Sequence, residues 1–414
     1  MINPTHFIAL LALLSLLSCS NSEPYCKNED CLGVPFADGT VDYRVILIGD
    51  AGGNIGGMNY DQEIKLAFFA AIKNFSKVLP GRTAVVFLGD NIYSNGLPDP
   101  TEKKVKPDKG CDQRACAEKR IDVQIGILKG IQARGIFVPG NHDWDSAGKR
   151  GWKRIRNLEQ YIDDSRRNKK ADVAVIPKQG CPGPVTVPLS GKNVGIALIV
   201  LDTQWWLHQH EKPEKDHNPA DCKPVTEEEV IQTLKKQIED SRKENKHVLL
   251  VAHHPLITYG KHSGFYNRGD LLNPSRFLSQ WIKSTGLAGR QDLNHPIYRE
   301  MKKKILKAIQ ESAGEEGAPL IYAAGHDHSL QVTKDKVGNF HLVSGAGSPW
   351  KATKAGYGKA TLFSHTNKKT GGFMAVDYMR SGKIRLSVIE PRSPDDECKN
   401  NSGEECVVFS TWVS

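Results

Sequence analysis

Five short stretches of this 414-residue sequence bring together residues that hold cations. They are Gly49-Asp50, Gly89-Asp90-Asn91-Ile92-Tyr93, Gly140-Asn141-His142-Asp143, His253-His254-Pro255 and Gly325-His326-Asp327-His328. Carboxylates, imidazoles, an amide and a phenol are donors to hard or borderline metal ions. Each stretch alone has a plainer reading. Gly-Asp after an apolar run is commonly a turn. Asn141-His142-Asp143 reads equally as a self-capped turn, and His253-His254 as one core and one surface histidine. His326-x-His328 is more pointed, because alternate residues of an extended chain face one side. In order, and each after a buried strand, the five leave coincidence little room.

The elements that must position them are legible around these stretches. Residues 45–48, 85–88, 136–138, 196–201, 248–251, 320–323 and 340–343 are short apolar runs, most of them rich in β-branched residues. Continuous apolar runs suit strands buried on both faces. Glycine before a ligand lets the backbone turn sharply out of its strand. Residues 61–79 place Ile64, Phe68, Ala71, Ile72, Phe75 and Leu79 on one helical stripe. Residues 227–243 do the same with Val230, Leu234 and Ile238, behind a Thr226/Glu229 capping box. Strand–helix–strand alternation predicts an α/β fold, and in such sheets ligands gather outside the carboxyl ends of the strands. Residues 332–390 alternate Thr, Val, Phe and Tyr between Gly-rich turns, which predicts an antiparallel completion of a second sheet. Residues 98–119 and 258–290 read as insertions at strand ends, where selectivity usually resides.

Composition sets the outer bounds. The net charge of +9 is modest and dispersed, which suits an acidic substrate such as a phosphate ester. No long like-charge run or aromatic–basic alternation marks a nucleic-acid partner. Residues 7–17 are apolar except Ser15, too short for a bilayer span and right for a signal-peptide core. Leu16-Leu17-Ser18-Cys19 resembles the bacterial lipobox, in which the cysteine is lipidated and becomes the first mature residue. Residues 1–6 lack Lys and Arg, so a plain secretory signal is the alternative. The expected organisation is a signal segment at 1–19, a flexible tether at 20–42, one large domain at 43–392 and a tail at 393–414. The expected location is the cell envelope, through a lipid anchor, or else outside the cell. Eight cysteines besides Cys19 suit an exported, disulfide-bonded chain. Sequence neighbours pair Cys26 with Cys31, Cys111 with Cys116 and Cys398 with Cys406, leaving Cys181 for Cys222; free buried thiols are the alternative.

The ordered set of five stretches resembles the calcineurin-like metallophosphoesterases. Within them it is most similar to the purple acid phosphatases of the small, tartrate-resistant type. The resemblance spans roughly residues 45–390. It implies a four-layer α/β/β/α sandwich of two mixed sheets flanked by helices, with a dimetal site at the strand carboxyl ends. Generic members begin with Asp-x-His, both residues binding the first metal. Here the stretch is Asp50-Ala51-Gly52, so the histidine is missing, and Tyr93 supplies a phenolate instead. The resemblance therefore implies Fe(III) held by Asp50, Asp90, Tyr93 and His328. Asp90 would bridge to a second ion, Fe(II), Zn or Mn, completed by Asn141, His253 and His326. His253, rather than His254, matches the family's ligand.

The chemistry implied is hydrolysis of phosphate monoesters. Paired cations clamp the phosphoryl oxygens and lower the pKa of a bound water, which then attacks in line as hydroxide. His142 matches the family's phosphate-contacting histidine, and His262 its proposed general acid; a loop histidine without a role is the plainer reading of His262. Asn91, Asp143 and His254 are expected to support the site or the substrate, Asp143 by orienting His142. Ser344-Gly345-Ala346-Gly347 reads as close backbone packing. Ala51 and Trp144 depart from the family's pattern and are expected near the substrate crevice. Trp205, Trp206 and Trp350 would either stack on an aromatic leaving group or pack under insertions. Two other functions fit the same residues: a phosphodiesterase or nucleotide hydrolase, and a non-catalytic phosphate-binding surface lipoprotein.

Overall fold

The computed structural model describes residues 25–26, 32, 40–53, 67–102, 113–168, 171–260, 262, 293–312, 319–347, 360–365, 371–392, 398 and 406–413. The signal-like segment with Cys19, and Cys31, Cys111 and Trp350, lie outside them. Along the chain the strands are β1 (Tyr25–Cys26), β2 (Val41–Ile48), β3 (Thr83–Phe87), β4 (Arg134–Phe137), β5 (Asp172–Val175), β6 (Val185–Ser190), β7 (Gly195–Val200), β8 (His247–Val251), β9 (Ile321–Ala324), β10 (Leu330–Lys334), β11 (Phe340–Ser344), β12 (Thr361–His365), β13 (Phe373–Met379), β14 (Ile384–Ile389) and β15 (Val407–Trp412). The helices are α1 (Ala67–Lys77), α2 (Gln113–Leu128), α3 (Gly151–Arg167), α4 (Thr203–Leu207), α5 (Glu227–Lys243) and α6 (Pro296–Glu311).

The strands form two mixed sheets. One has the order β15-β14-β13-β2-β3-β4-β5, the other β1-β12-β10-β11-β9-β8-β7-β6. β2 through β5 run parallel, as do β7, β8, β9 and β11. Alternation along the strands builds the layers. Val45, Leu47, Val86, Leu198, Leu249 and Val251 meet between the sheets. Ile46, Ile48, Val85 and Phe87 face outward onto Phe68, Phe75, Ile121 and Leu158 of α1, α2 and α3. On the opposite face Ile199, Leu250 and Tyr322 pack against Leu234, Ile238, Met301 and Ile305 of α5 and α6. The result is the expected α/β/β/α sandwich. The Thr226/Glu229 capping box is present and α5 has the expected bounds.

Residues 332–390 depart from expectation, because they serve both sheets. β10, β11 and β12 stay in the eight-stranded sheet, whereas β13 and β14 cross to extend β2. A buried ion cluster fixes that crossing. Asp377 pairs in register with Arg44 on β2 and Arg385 on β14. Its carboxylate accepts from Arg44 Nε at 2.6 Å and Nη2 at 3.1 Å, and from Arg385 Nη2 at 2.5 Å. All three residues are buried, and the Arg44 guanidinium lies 5.4 Å from the Phe75 ring of α1. The alternation of residues 332–390 suits either sheet; the charges decide which one.

Both chain ends outside the central domain also join the sheets. Tyr25–Cys26, in the expected tether, pairs with β12. β15, in the expected tail, is the outer strand beside β14, so the folded body runs past residue 392. Cys398–Cys406 staples the chain just before β15, and Cys181–Cys222 is the second defined bridge. Cys26 and Cys116 are also disulfide-bonded.

The cluster gives a stability prediction. Asp377→Ala leaves two buried guanidiniums without their shared carboxylate, which costs about 3–5 kcal/mol. Equilibrium unfolding in urea should show that loss, and a loss below 1 kcal/mol would remove the cluster from its role in the sheet crossing.

Candidate metal centre

Parallel strands deliver their carboxyl ends to one edge. Asp50 follows β2, Asp90 follows β3, Asn141 follows β4, His253 follows β8 and His326 follows β9. Each must leave its strand abruptly. Asp50, Asp90 and His326 do so with φ of 60°, 54° and 69°. Left-handed backbone at a residue with a β-carbon costs about 1–2 kcal/mol, and such strain persists where the surroundings over-determine the position. The strand ends also approach closely. A β-carbon on Gly49 would lie 2.7 Å from Gly325 Cα. Gly49 N–H donates to Ser344 O at 2.6 Å and Gly347 N–H to Gly49 O at 3.1 Å, the close packing expected of Ser344–Gly347.

Two donor clusters result. In the first, the Tyr93 hydroxyl oxygen lies 2.8 Å from Asp50 Oδ1, 3.1 Å from Asp90 Oδ2 and 3.0 Å from His328 Nε2. His328 Nε2 lies 3.3 Å from Asp50 Oδ1. In the second, Asn141 Oδ1 is 2.9 Å from both His253 Nε2 and His326 Nδ1. Those two nitrogens are 3.2 Å apart, and His253 Nε2 is 3.4 Å from Asp90 Oδ1. Asp90 thus turns one oxygen to each cluster. Separations near 3 Å match the edges of an octahedral shell with bonds of about 2.1 Å.

Orientation and charge suit cations. His253 Nδ1 lies 2.8 Å from Leu88 O. A carbonyl only accepts, so Nδ1 carries the proton and Nε2 offers a lone pair to the cluster. The Asn141 amide nitrogen is buried without a partner, as it would be if Oδ1 alone had been aimed. Asp50 Oδ2 accepts from His326 N–H at 2.8 Å, which leaves Oδ1 for the first cluster. Burial, with His262 and His254 nearby, holds the His326 imidazole well below its ordinary pKa, in the neutral form that ligates. Burial opposes charge on Asp90, but His253 and His142 outweigh it and hold that carboxyl well below its usual range. Burial, Asp50 and Asp90 push the Tyr93 phenol well above 10. Without a cation these acceptor-rich groups share protons; His253, despite its burial, is pushed up to about 9 by Asp90. The donor set fits two metal ions.

The supporting residues divide in a way the sequence did not show. His142 is part-exposed beside Tyr93, its ring centroid 4.4 Å from the phenol's. Its Nδ1 lies 2.6 Å from Ser94 O and 3.0 Å from Ser146 Oγ, so those groups orient it. Asp143 does not. Its carboxylate accepts from the backbone N–H of Asn91, Ile92 and Gly140 at 2.9–3.2 Å and from Asn91 Nδ2 at 2.9 Å. The Asn91 amide also donates to Val138 O, so the pair clamps two ligand loops together. His254 is buried against Thr203 Oγ1 at 2.9 Å, yet it also lies within 4.8 Å of the His253 and His326 donor atoms. His262 comes to the centre, with its ring 4.5 Å from that of His326.

Ala51 is buried beside the donor Asp50, and Trp144 is buried in the core under α4–α6. Trp144 is drawn inward by its indole N–H, which donates to Asp202 Oδ2 at 2.9 Å. Trp205 and Trp206 share that core, Trp205 donating to Pro213 O at 2.7 Å. Ser94, Ser146 and Thr203 were missed: Ser94 acts through its backbone carbonyl, and the lone hydroxyls of Ser146 and Thr203 carry no pattern. Asp327 stood in plain view within His326-Asp327-His328 but read as a spacer.

The calcineurin-like phosphoesterase family profile matches residues 43–330, which contain both clusters. The chain belongs to the calcineurin-like phosphoesterase family. A comparison with curated proteins finds no match. Among solved structures this phosphoesterase resembles GAP50, the anchor in the inner membrane complex of Plasmodium. Identity is 15% over 86% of this chain and 87% of that one, with a TM-score of 0.50. PhoD matches at 11% identity over 87% and 68% of the two chains, TM-score 0.48. A dimetal phosphatase from Danio rerio matches at 14% over 84% and 96%, TM-score 0.45.

The phosphoesterase's loop clamp is testable. Asp143→Ala strands several buried donors, each costing about 1–3 kcal/mol, and should weaken metal binding by about 10–100-fold. His142→Ala, at a part-exposed position, should leave the thermal midpoint nearly unchanged. Calorimetry and metal competition titrations check both, and equal melting behaviour for the two variants would contradict the clamp.

Proposed function

We propose that this phosphoesterase is an exported hydrolase of phosphate monoesters with a purple acid phosphatase-like centre. In this reading Asp50, Asp90, Tyr93 and His328 hold Fe(III). Asp90, Asn141, His253 and His326 hold the second ion, Fe(II), Zn or Mn. The observation that carries the reading is the Tyr93 oxygen, 2.8–3.1 Å from three other donors of the first cluster. A phenolate is a hard anionic donor and favours a trivalent ion. When bound, the pair of cations clamps phosphoryl oxygens, offsets developing charge and makes water acidic enough to attack under mildly acidic conditions.

The chain's own groups supply the rest. His142 donates its Nδ1–H to Ser94 O, and its Nε2 is 3.9 Å from Asp90 Oδ2, where only the imidazolium form can donate to a phosphoryl oxygen. His262, beside His326, is the proton donor to the leaving alkoxide. The two defined disulfides support an oxidising location and hence export, with Cys19 as the lipid anchor.

Three measurements test this. The oxidised, iron-loaded protein should show a visible phenolate-to-iron absorption band that vanishes in Tyr93→Phe; iron binding without such a band rules out the ferric phenolate. A simple aryl monoester should be cleaved faster than the matching diester, and the reverse order would favour a phosphodiesterase. His262→Ala should slow turnover of an alkyl phosphate by about 10²–10⁴-fold while sparing nitrophenyl phosphate, whose leaving group needs no proton. Equal losses on both would remove His262 from that role.

A further inference from the structure

The chain around His262 is gripped by buried polar groups that no part of the metal clusters requires. Asp327, Ser329 and Gln331 lie at the end of β9 and the start of β10 and are fully buried. Asp327 Oδ1 accepts from the His262 N–H at 3.0 Å, and Oδ2 accepts from Thr258 Oγ1 at 2.5 Å. Thr258 Oγ1 in turn accepts from Gly260 N–H at 3.1 Å and Gln331 Nε2 at 3.1 Å. That hydroxyl uses its one donor and two acceptor positions in full. Gln331 Oε1 accepts from Tyr259 N–H at 2.9 Å, and its Nε2 also donates to Ser329 Oγ at 2.8 Å. A β-carbon on Gly260 would collide with the Asp327 carboxylate, so the loop lies directly on it. Four of the five residues from Thr258 to His262 are thereby tied to the segment that carries His326 and His328.

We infer that Asp327, Thr258 and Gln331 are positioning residues that fix the His262 imidazole beside His326 for proton delivery. The inference rests on the reading of His262 as the proton donor. As the P–O bond to the leaving group breaks, its electron pair stays on oxygen. His262, protonated, passes its proton to that oxygen and is left neutral; water provides the oxygen of the new bond. A donor must stay within hydrogen-bond reach of the atom it serves, so a loop free to drift would lose the transfer while leaving phosphate binding intact. Burying a carboxylate, a hydroxyl and an amide is unfavourable unless each is bonded. Here their partners are this loop and one another.

Thr258 is the member farthest from the metal ligands in sequence, which makes it the test position. Thr258→Val removes the hydroxyl and keeps the shape; Thr258→Ser keeps the hydroxyl. In the metal-loaded full chain, Thr258→Val should lower kcat on an alkyl phosphate at least tenfold, with KM unchanged and nitrophenyl phosphate nearly unaffected. Thr258→Ser should restore the wild-type profile. Adding Thr258→Val to His262→Ala should cost nothing further on the alkyl phosphate. Hydrogen exchange at the His262 amide, read without substrate, should quicken at least tenfold in Thr258→Val and not in Thr258→Ser. Equal losses on both substrates, full additivity with His262→Ala, or unchanged amide exchange each overturn the positioning role. If His262→Ala itself shows no dependence on the leaving group, the proton-donor reading fails; if it does and Thr258→Val does not, only the positioning role fails.

Discussion

One carboxylate belongs to two donor sets, and much of the molecule is arranged around it. Asp90 turns Oδ2 to Tyr93 and Oδ1 to His253, and it is buried where an unpaired charge is costly. Only parallel strands in two facing sheets bring the other donors to it from such distant parts of the chain. The glycines at the strand ends allow the backbones to touch, and the left-handed turns at Asp50, Asp90 and His326 aim the side chains. The fold therefore carries strain at the place where cations would repay it.

Around that carboxylate the polar groups do different work. Leu88 O sets the tautomer of His253, His326 N–H holds one oxygen of Asp50, and Asp143 clamps the loops after β3 and β4. Asp327 ties the His262 loop to the histidine pair. These contacts join backbone to side chain, and all but the Gly140–Asp143 bond do so across long sequence separations. They turn seven donors on five strand ends into two compact clusters before any ion arrives, which lowers the cost of binding one.

The donors were legible because their chemistry and their place after apolar runs coincide. The loss of histidine at Gly52 and the gain of Tyr93 could be read as one compensation, and the phenol does reach Asp50 and His328. α5 was legible from its stripe and its capping box. The sharing of residues 332–390 between two sheets was not, since it depends on Arg44 and Asp377, 333 residues apart. Asp143 was misread because most of its partners are backbone N–H groups, which leave no mark in a sequence. Trp144 looked like a crevice residue by position, but its hydrogen bond to Asp202 turns it into the core.

The central claim is that two ions occupy adjacent clusters joined by Asp90. Anomalous X-ray scattering from crystals of the metal-loaded protein tests it most directly. The account predicts two peaks about 3.5–4 Å apart, one against Tyr93 and one against His253, with an Asp90 oxygen on each. A single peak, or ions bound away from these side chains, would contradict it.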